Sequence, residues 1–151
     1  MKMRIRKATK KDLKDVFQLL YDYTKYENSL DKKIKIESLT QIEKEEKEHF
    51  KTGTLYFIVE ENNQIVGCLN ANIDKRGKGK IGVIHNLFII EKARGKGYGN
   101  EVVKFVLNYF KENGCSRAKT FVFLENKKAK KFWEKKGFNL DLGYSGSVKL
   151  K

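Results

Sequence analysis

Six consecutive residues, Arg94-Gly95-Lys96-Gly97-Tyr98-Gly99, have the composition of an anion-binding loop. An apolar run, Ile81 to Ile90, precedes them and an amphipathic segment, Asn100 to Lys111, follows. This order predicts a strand, a glycine turn and the start of a helix. The first main-chain N–H groups of a helix are unpaired and carry partial positive charge, and glycines let a ligand approach the backbone. Because two cationic side chains stand beside these donors, the loop predicts a site for a phosphorylated ligand.

Two common phosphate-binding motifs do not fit this loop. A dinucleotide fingerprint needs a third glycine where the chain has Asn100, and an acidic ribose ligand about 20 residues further on, where Arg117 to Thr120 are basic or neutral. A nucleoside-triphosphate loop needs Ser or Thr directly after its lysine, and Lys96 is followed by Gly97.

A second motif lies downstream of the glycine loop. It reads Asn126-x-x-Ala129-x-x-Phe132-Trp133-x-x-x-Gly137-Phe138. Together with the spacing Arg94-x-x-Gly97-x-Gly99, it resembles the two signatures of the GNAT superfamily of N-acetyltransferases. The resemblance covers roughly Arg4 to Leu150. It implies one N-acetyltransferase domain over residues 1–151 with an α/β (α+β) GNAT-like fold, in which a mixed, mostly antiparallel central sheet of six to seven strands carries helices on both faces.

The same resemblance implies that acetyl-CoA is the co-substrate and that no metal takes part. In the family, the first motif holds the pyrophosphate and the second supplies a helix along the pantetheine arm, with Ala129 where that arm passes. An amide N–H of the central strand, near Leu87 or Phe88, polarises the thioester carbonyl. The implied cofactor-binding positions are Leu87, Phe88, Ile89, Arg94, Gly95, Lys96, Gly97, Tyr98, Gly99, Asn100, Asn126, Ala129, Phe132 and Trp133.

Amine acetylation needs a base for the ammonium proton, and an acid can assist the leaving thiolate. His85 is the candidate base, at a strand position where many family members carry glutamate, and its ordinary pKa of about 6.5 suits this task. The alternative is a polar strand residue that faces solvent. Trp133 occupies the place where the family usually has tyrosine, and an indole does not give up its proton near neutral pH. Tyr144 is therefore a candidate acid, against the alternatives of a turn residue, protonation by water, or unassisted departure.

Composition places the chain among small globular proteins. A length of 151 residues suits one domain, and 40% hydrophobic content excludes a disordered chain. The chain has no apolar run of membrane-spanning length and no signal-peptide pattern at its N-terminus, so we expect a cytoplasmic protein. The net charge of +14 comes from lysines scattered over the whole length, which favours a solvated surface over a nucleic-acid partner. Cys68 and Cys115 lack a partner at metal-ligand spacing and are expected to be buried thiols.

The acceptor is the least determined part of the function. Lys25-Tyr26-Glu27 looks like the polyamine and diamine branch of the superfamily. The expected acceptor is a primary amine of a small molecule, polyamine-like, diamine-like or amino-acid-like, which attacks acetyl-CoA directly in a ternary complex. The acidic segment around Glu43, Glu45, Glu46 and Glu48 could attract a cation, but its interspersed lysines favour a solvated helix. A protein N-terminus or lysine is the alternative acceptor, and a catalytically silent acetyl-CoA sensor is the alternative function. A homodimer is a further expectation.

Periodicity predicts alternating strands and helices. Thr9 should cap the first helix, with Asp12 three residues on as a near capping box. This helix should bury Leu13 and end at Tyr23 to Tyr26, and Asn126 should cap the last helix. The predicted strands are Met3 to Lys7, Leu55 to Glu60, Ile65 to Ile73, Ile81 to Ile90 and Thr120 to Leu124, with a returning strand or hairpin in Phe138 to Leu150. A second, charged helix is predicted within Ile36 to Phe50, and a third buries Val102, Val103, Val106, Tyr109 and Phe110.

Overall fold

The computed structural model describes residues 2–123, 125–141 and 145–150. Within these residues the helices are α1 (Leu13–Leu30), α2 (Leu39–Lys51), α3 (Tyr98–Glu112) and α4 (Lys127–Lys135). The strands are β1 (Met3–Lys7), β2 (Leu55–Glu61), β3 (Gln64–Arg76), β4 (Gly79–Ile89), β5 (Cys115–Phe121), β6 (Asn139–Asp141) and β7 (Ser145–Lys149).

The strands form one sheet in the order β1-β2-β3-β4-β5-β7-β6. Its pairs are antiparallel except β4 with β5, which run parallel and are connected through α3. The hairpin between β2 and β3 turns through Asn62 and Asn63, both with left-handed backbone (φ 51° and 67°), as a tight hairpin turn requires. The predicted mixed, mostly antiparallel sheet is therefore confirmed.

Helices cover both faces of this sheet, as predicted. On one face, α1 and α2 bury apolar residues against β2, β3 and β4; that cluster includes Val16, Phe17, Leu20, Ile42, Ile58, Cys68 and Phe88. On the other face, α3 buries Val102, Val103, Val106 and Phe110 against Phe57, Leu69, Ile84 and Ala118. Contact is closest at Gly82, where an added Cβ would lie 2.2 Å from the Phe110 ring, so only glycine lets this ring meet the strand.

An ion-pair network fixes the entry to α1. The Arg6 guanidinium donates to both carboxylate oxygens of Asp12 at 2.9 Å, and its Nε donates to Glu60 at 2.6 Å. Asp12 also accepts from the Thr9 N–H at 2.7 Å, which is the capping contact expected from the sequence. The Arg6 hydrogen bonds lower the pKa of Asp12 to about 2. β1, β2 and the N-cap of α1 are thus tied together by one guanidinium.

The structure corrects two predicted boundaries. The first helix does not end at Tyr23 to Tyr26 but continues to Leu30, because Tyr23 and Tyr26 still pack on the sheet; the Tyr23 and Phe88 ring centroids are 5.6 Å apart. β5 begins at Cys115 rather than Thr120, because pairing with β4 on one side and β7 on the other recruits polar residues that have no strand pattern of their own.

Candidate functional site

A cleft opens where the pairing of β4 with β5 stops. The two strands are paired from Lys80 to Ile84 and from Cys115 to Thr120, and not beyond, within the described residues. Both strands continue past this point, and the cleft between them has a volume of about 700 Å³. Residues of α1, the glycine loop and α4 complete its walls. The interrupted ladder exposes backbone groups of β4 to the cleft.

The strand alternation identifies which backbone groups these are. The Ile90 N–H donates to the Val66 carbonyl of β3 at 2.9 Å. In an antiparallel ladder, alternate residues direct both main-chain groups to the same neighbour. Asn86 and Phe88 therefore bond toward β3, whereas Leu87 and Ile89 direct theirs toward the cleft. The Arg94 Nε, which donates to the Ile89 carbonyl at 2.8 Å from the cleft side, agrees with this assignment.

The glycine loop presents its main chain to the same cleft. Gly95 and Gly97 have left-handed backbone (φ 78° and 83°), and no atom lies within 4 Å of a Cβ built on either. The first hydrogen bond of α3 runs from the Glu101 N–H to the Gly97 carbonyl, so the amides of residues 98–100 precede the helical ladder. The sequence predicts a phosphate site at this loop, and an open cradle of N–H donors has the chemistry that such a site requires.

Two side chains of the loop have a different role. The Lys96 ammonium lies 2.8 Å from Glu61, and the Tyr98 hydroxyl donates to the same carboxylate. The hydrogen bond from Lys96, and to a smaller extent that from Tyr98, lowers the pKa of Glu61. The Tyr98 ring is buried against the α3 side of the sheet. The two side chains thereby fasten the loop to the end of β2.

α4 forms the opposite wall. Asn126 is its N-cap, as predicted, because its Oδ1 accepts from the Ala129 N–H at 3.1 Å. The Trp133 ring is 5% exposed and packs edge to face on Phe132 and Phe138, with centroids 5.1 Å apart in each pair. The tryptophan in the place of the family's usual tyrosine is therefore a packed wall residue.

Of the fourteen predicted cofactor-binding residues, thirteen line this single cleft and Lys96 is outside its described lining. Tyr144, the candidate acid, lies outside the described residues. Sequence reasoning thus selected residues that are far apart in the chain and converge in the structure.

His85, the candidate base, lies at a β-bulge of β4. The register passes from Asn70 opposite Asn86 to Ala71 opposite Ile84, so His85 is the extra residue, and it lines the cleft. Its Nε2 is 2.8 Å from Asn72 Oδ1, while Asn72 Nδ2 donates to Thr54 Oγ1 at 3.2 Å. This amide orientation assigns the proton to Nε2 and leaves Nδ1 with a lone pair. Desolvation lowers the pKa of His85, against the opposing influence of Asp74 and Glu46.

Glu27 is a site residue that sequence reasoning did not select for catalysis. It lies just beyond the predicted end of α1, is 8% exposed, and lines the cleft with Tyr23 and Tyr26. Burial raises the pKa of this carboxyl to about 7, although a hydrogen bond from Tyr23 opposes the shift. The signal in the sequence was the continued spacing of Leu20, Tyr23 and Glu27, which keeps one face of the helix toward the sheet.

Comparison with known proteins decides the family. A family model described as "Acetyltransferase (GNAT) family" matches residues 13–138. The chain belongs to this family. Among curated relatives, an uncharacterized N-acetyltransferase of Methanocaldococcus jannaschii is 30% identical over 55% of this chain and 38% of its own length. Another, from Bacillus subtilis, is 26% identical over 60% of this chain and 62% of its own length. The matches therefore span less than two thirds of either relative.

Solved structures of GNAT proteins share the fold. The PaiA N-acetyltransferase of Thermoplasma acidophilum, solved in complex with coenzyme A, superposes with a TM-score of 0.76 at 17% identity over 99% of both chains. Arabidopsis thaliana Naa50, in complex with a bisubstrate analogue, gives 0.72 at 18% identity over 98% of this chain and 99% of its own. None of the described helices has the length and apolar character needed to cross a membrane.

Proposed function

We propose that this protein is an acetyl-CoA-dependent N-acetyltransferase that acetylates a primary amine of a small molecule. The proposed functional unit is a single domain over residues 1–151. The observation that carries the proposal is the cleft between β4 and β5, in which the Leu87 main chain and the first amides of α3 face the same space. Family membership supports the choice of acetyl-CoA as the co-substrate.

The glycine loop and α3 are proposed to hold the cofactor by its pyrophosphate. The amides of residues 98–100 supply donors, the helix dipole adds positive charge, and Arg94 lies at the edge of the cleft. Asn126, Ala129, Phe132 and Trp133 are proposed to form the wall along the pantetheine arm. These roles are consistent with the open space at Gly95 and Gly97, where no atom lies within 4 Å of an added Cβ, so a ligand can approach the backbone.

The acyl-transfer chemistry needs three contributions from the chain. Bound acetyl-CoA supplies the acetyl group as a thioester. The Leu87 N–H is proposed to donate to the carbonyl oxygen as negative charge develops there, an interaction of about 3 kcal/mol in comparable sites. His85 Nδ1 is proposed to take the proton of the amine, directly or through water, and Tyr144 is the proposed donor to the leaving thiolate.

A peptide or protein amine is the second acceptor class to test. Naa50, which shares the fold, was solved with a peptide-bearing bisubstrate analogue, and this fact belongs to that protein. The observation that favours a small amine here is the buried carboxyl of Glu27 inside the cleft, where a compact cation would reach it.

The test is a measurement of thiol release from acetyl-CoA with a panel of amines, amino acids and peptides, together with calorimetry of CoA binding. We expect saturable CoA binding and turnover with at least one small primary amine. CoA binding without turnover on any acceptor would favour the sensor function. The absence of any heat with CoA would overturn the proposal altogether.

A further inference from the structure

Resting on the proposed acetyl transfer, we propose that Glu27 is the counter-ion that holds the cationic group of the acceptor amine inside the cleft. The inference deepens the proposed function by one step. It makes the acceptor a cation at neutral pH, and it names the side chain that selects it.

The first support is the position of the carboxyl. Glu27 is almost fully buried on α1 and lines the same cleft as His85 and Leu87. Within the described part of the chain, no lysine or arginine forms an ion pair with it. A buried carboxylate without a cation is costly, because desolvation penalises its charge. A ligand that brings its own cation would remove this cost when it binds.

The second support is the set of aromatic rings next to the Glu27 carboxyl. Tyr23 and Tyr26 flank the carboxyl on α1, and both rings contact Phe88 of β4, with centroids 5.6 and 6.5 Å from it. Aromatic faces attract cations and let the alkyl part of an amine pack against them. The Arg94 guanidinium lies 4.9 Å from the Tyr26 ring centroid and 5.4 Å from that of Phe88, so the chain already places one cation against this aromatic cluster.

The third support is a buried, unpaired acceptor on β3, the strand beside β4. Asn70 is 4% exposed, and its Oδ1 has no hydrogen-bond partner among the described residues. It lies on β3 directly opposite Asn86, which lines the cleft. Buried polar atoms are normally paired. Because α1 packs on β3, this unpaired carbonyl oxygen and the Glu27 carboxyl belong to neighbouring elements.

The groups that surround Glu27 define how it titrates. Tyr23 donates to it from the preceding turn of α1, and Glu37, from the segment before α2, is its acidic neighbour. His85 of β4 and Arg94 of the glycine loop line the same cleft. Burial raises the pKa of Glu27 to about 7, so part of the population carries a proton at neutral pH. Binding a cation there favours the carboxylate and must release that proton.

The competing account is a carboxylic acid that is merely structural, protonated and held by Tyr23. It predicts no preference between cationic and neutral amines. Glu27→Gln keeps the shape and the hydrogen bonding of that acid but removes its charge. Asp22→Asn, one turn earlier on the same helix and in a surface ion pair with Lys25, is the matched control.

The binding experiment uses the full chain saturated with CoA, at pH 7. Butylamine and diaminobutane serve as cations, and trifluoroethylamine, which is neutral at this pH, is the comparator. Calorimetry in two buffers of different ionisation enthalpy counts the protons released. We expect the wild type to bind the cations with release of a fraction of a proton. Glu27→Gln should bind them at least 10-fold more weakly without release, and should bind the neutral amine as the wild type does.

Kinetics with acetyl-CoA give the second readout. Glu27→Gln should raise KM for the cationic amines about 10-fold or more with a smaller change in kcat, and Asp22→Asn should match the wild type.

Equal CoA affinity and an intact thermal transition show that Glu27→Gln is folded, and Glu27→Asp should retain part of the cation preference. Wild-type failure to bind any of the cations, or equal losses for the charged and neutral amines, would overturn the role of Glu27.

The two proposals can fail separately. If no amine gives thiol release but Glu27→Gln still weakens the binding of cationic amines, the proposal of acetyl transfer is wrong and the counter-ion role of Glu27 is supported. If the wild type turns over normally and Glu27→Gln affects charged and neutral amines equally, the counter-ion role of Glu27 is wrong and the proposal of acetyl transfer is supported.

Discussion

Asn72 Oδ1 lies 2.8 Å from Nε2 of His85, across the β3–β4 pair at the bulge that turns the histidine into the cleft. In this amide orientation the oxygen faces the ring, while Asn72 Nδ2 donates to Thr54 Oγ1. The contact therefore selects the tautomer with Nδ1 unprotonated, which is the form a base requires. A neutral amide fixes the tautomer without adding a charge that would raise the pKa of the imidazole.

Replacing this amide by a carboxylate tests the relationship. Asn72→Asp should raise the pKa of His85, because an opposite charge favours imidazolium, and should move the acid limb of the kcat/KM profile to higher pH by about one unit. Nitrogen NMR of His85 reports the tautomer directly and does not depend on activity. An unchanged profile together with an unchanged tautomer would show that Asn72 does not control the ring.

His85→Ala tests the base itself. Loss of a positioned general base typically costs 10²- to 10⁴-fold, so kcat at pH 7 should fall by about that factor while CoA affinity stays within about twofold. His49→Ala is the control, because His49 lies on α2 with its side chain 55% exposed and bonded to Glu46. Wild-type turnover in His85→Ala would remove His85 from the mechanism.

Gly97→Val tests the cofactor loop. A side chain here would project into the open cradle and would force a β-branched residue into a left-handed backbone, so CoA affinity should fall at least 100-fold by calorimetry. Gly77→Val carries the same backbone strain in the β3–β4 turn, where φ is 58°, far from the loop in sequence. It should lose stability but retain CoA binding. Equal CoA affinity in the two variants would refute the cradle.

Glu27 also predicts a pH dependence of stability. Its pKa rises from 4.5 to about 7 on folding, so the folded state holds the extra proton between these values. The stability associated with this proton is complete below about pH 4.5 and is lost as pH rises through 7. Relative to the wild type, Glu27→Gln should therefore gain on the order of 2 kcal/mol in unfolding free energy between pH 4.5 and 8. Urea unfolding at both pH values measures the gain, and Asp22→Asn should show none.

Asp12 predicts the opposite pH dependence of stability. Its pKa falls from 3.8 to about 2 on folding, so its contribution is present above pH 3.8 and is lost as pH falls through 2. Asp12→Asn removes one partner of the Arg6 network and should cost about 2 kcal/mol at pH 7. Asp15→Asn, exposed on the same helix, should cost less than about 0.5 kcal/mol. Chemical denaturation of both variants decides the point.

The order of strands and helices, the glycine loop and the cap at Asn126 were readable from the sequence because each rests on local physics. Apolar spacing reports which face of an element is buried, and glycine or a capping side chain reports where the backbone must turn. The same local signals failed at β5, whose polar residues are strand only because β4 and β7 pair with them. They also failed at the end of α1, where long-range packing on Phe88 extends the helix.

By itself, the sequence determined the family motifs and made the helix-start loop and His85 candidates for anion binding and proton abstraction, since these depend on residue types at short spacings. Only the tertiary structure decided that the β4–β5 pairing stops at Ile84, that Leu87 rather than Phe88 turns its amide to the cleft, and that Lys96 is engaged by Glu61. It also brought Glu27 into the cleft. Strand register, side-chain partners and burial are set by segments far apart in the chain, and no local spacing encodes them.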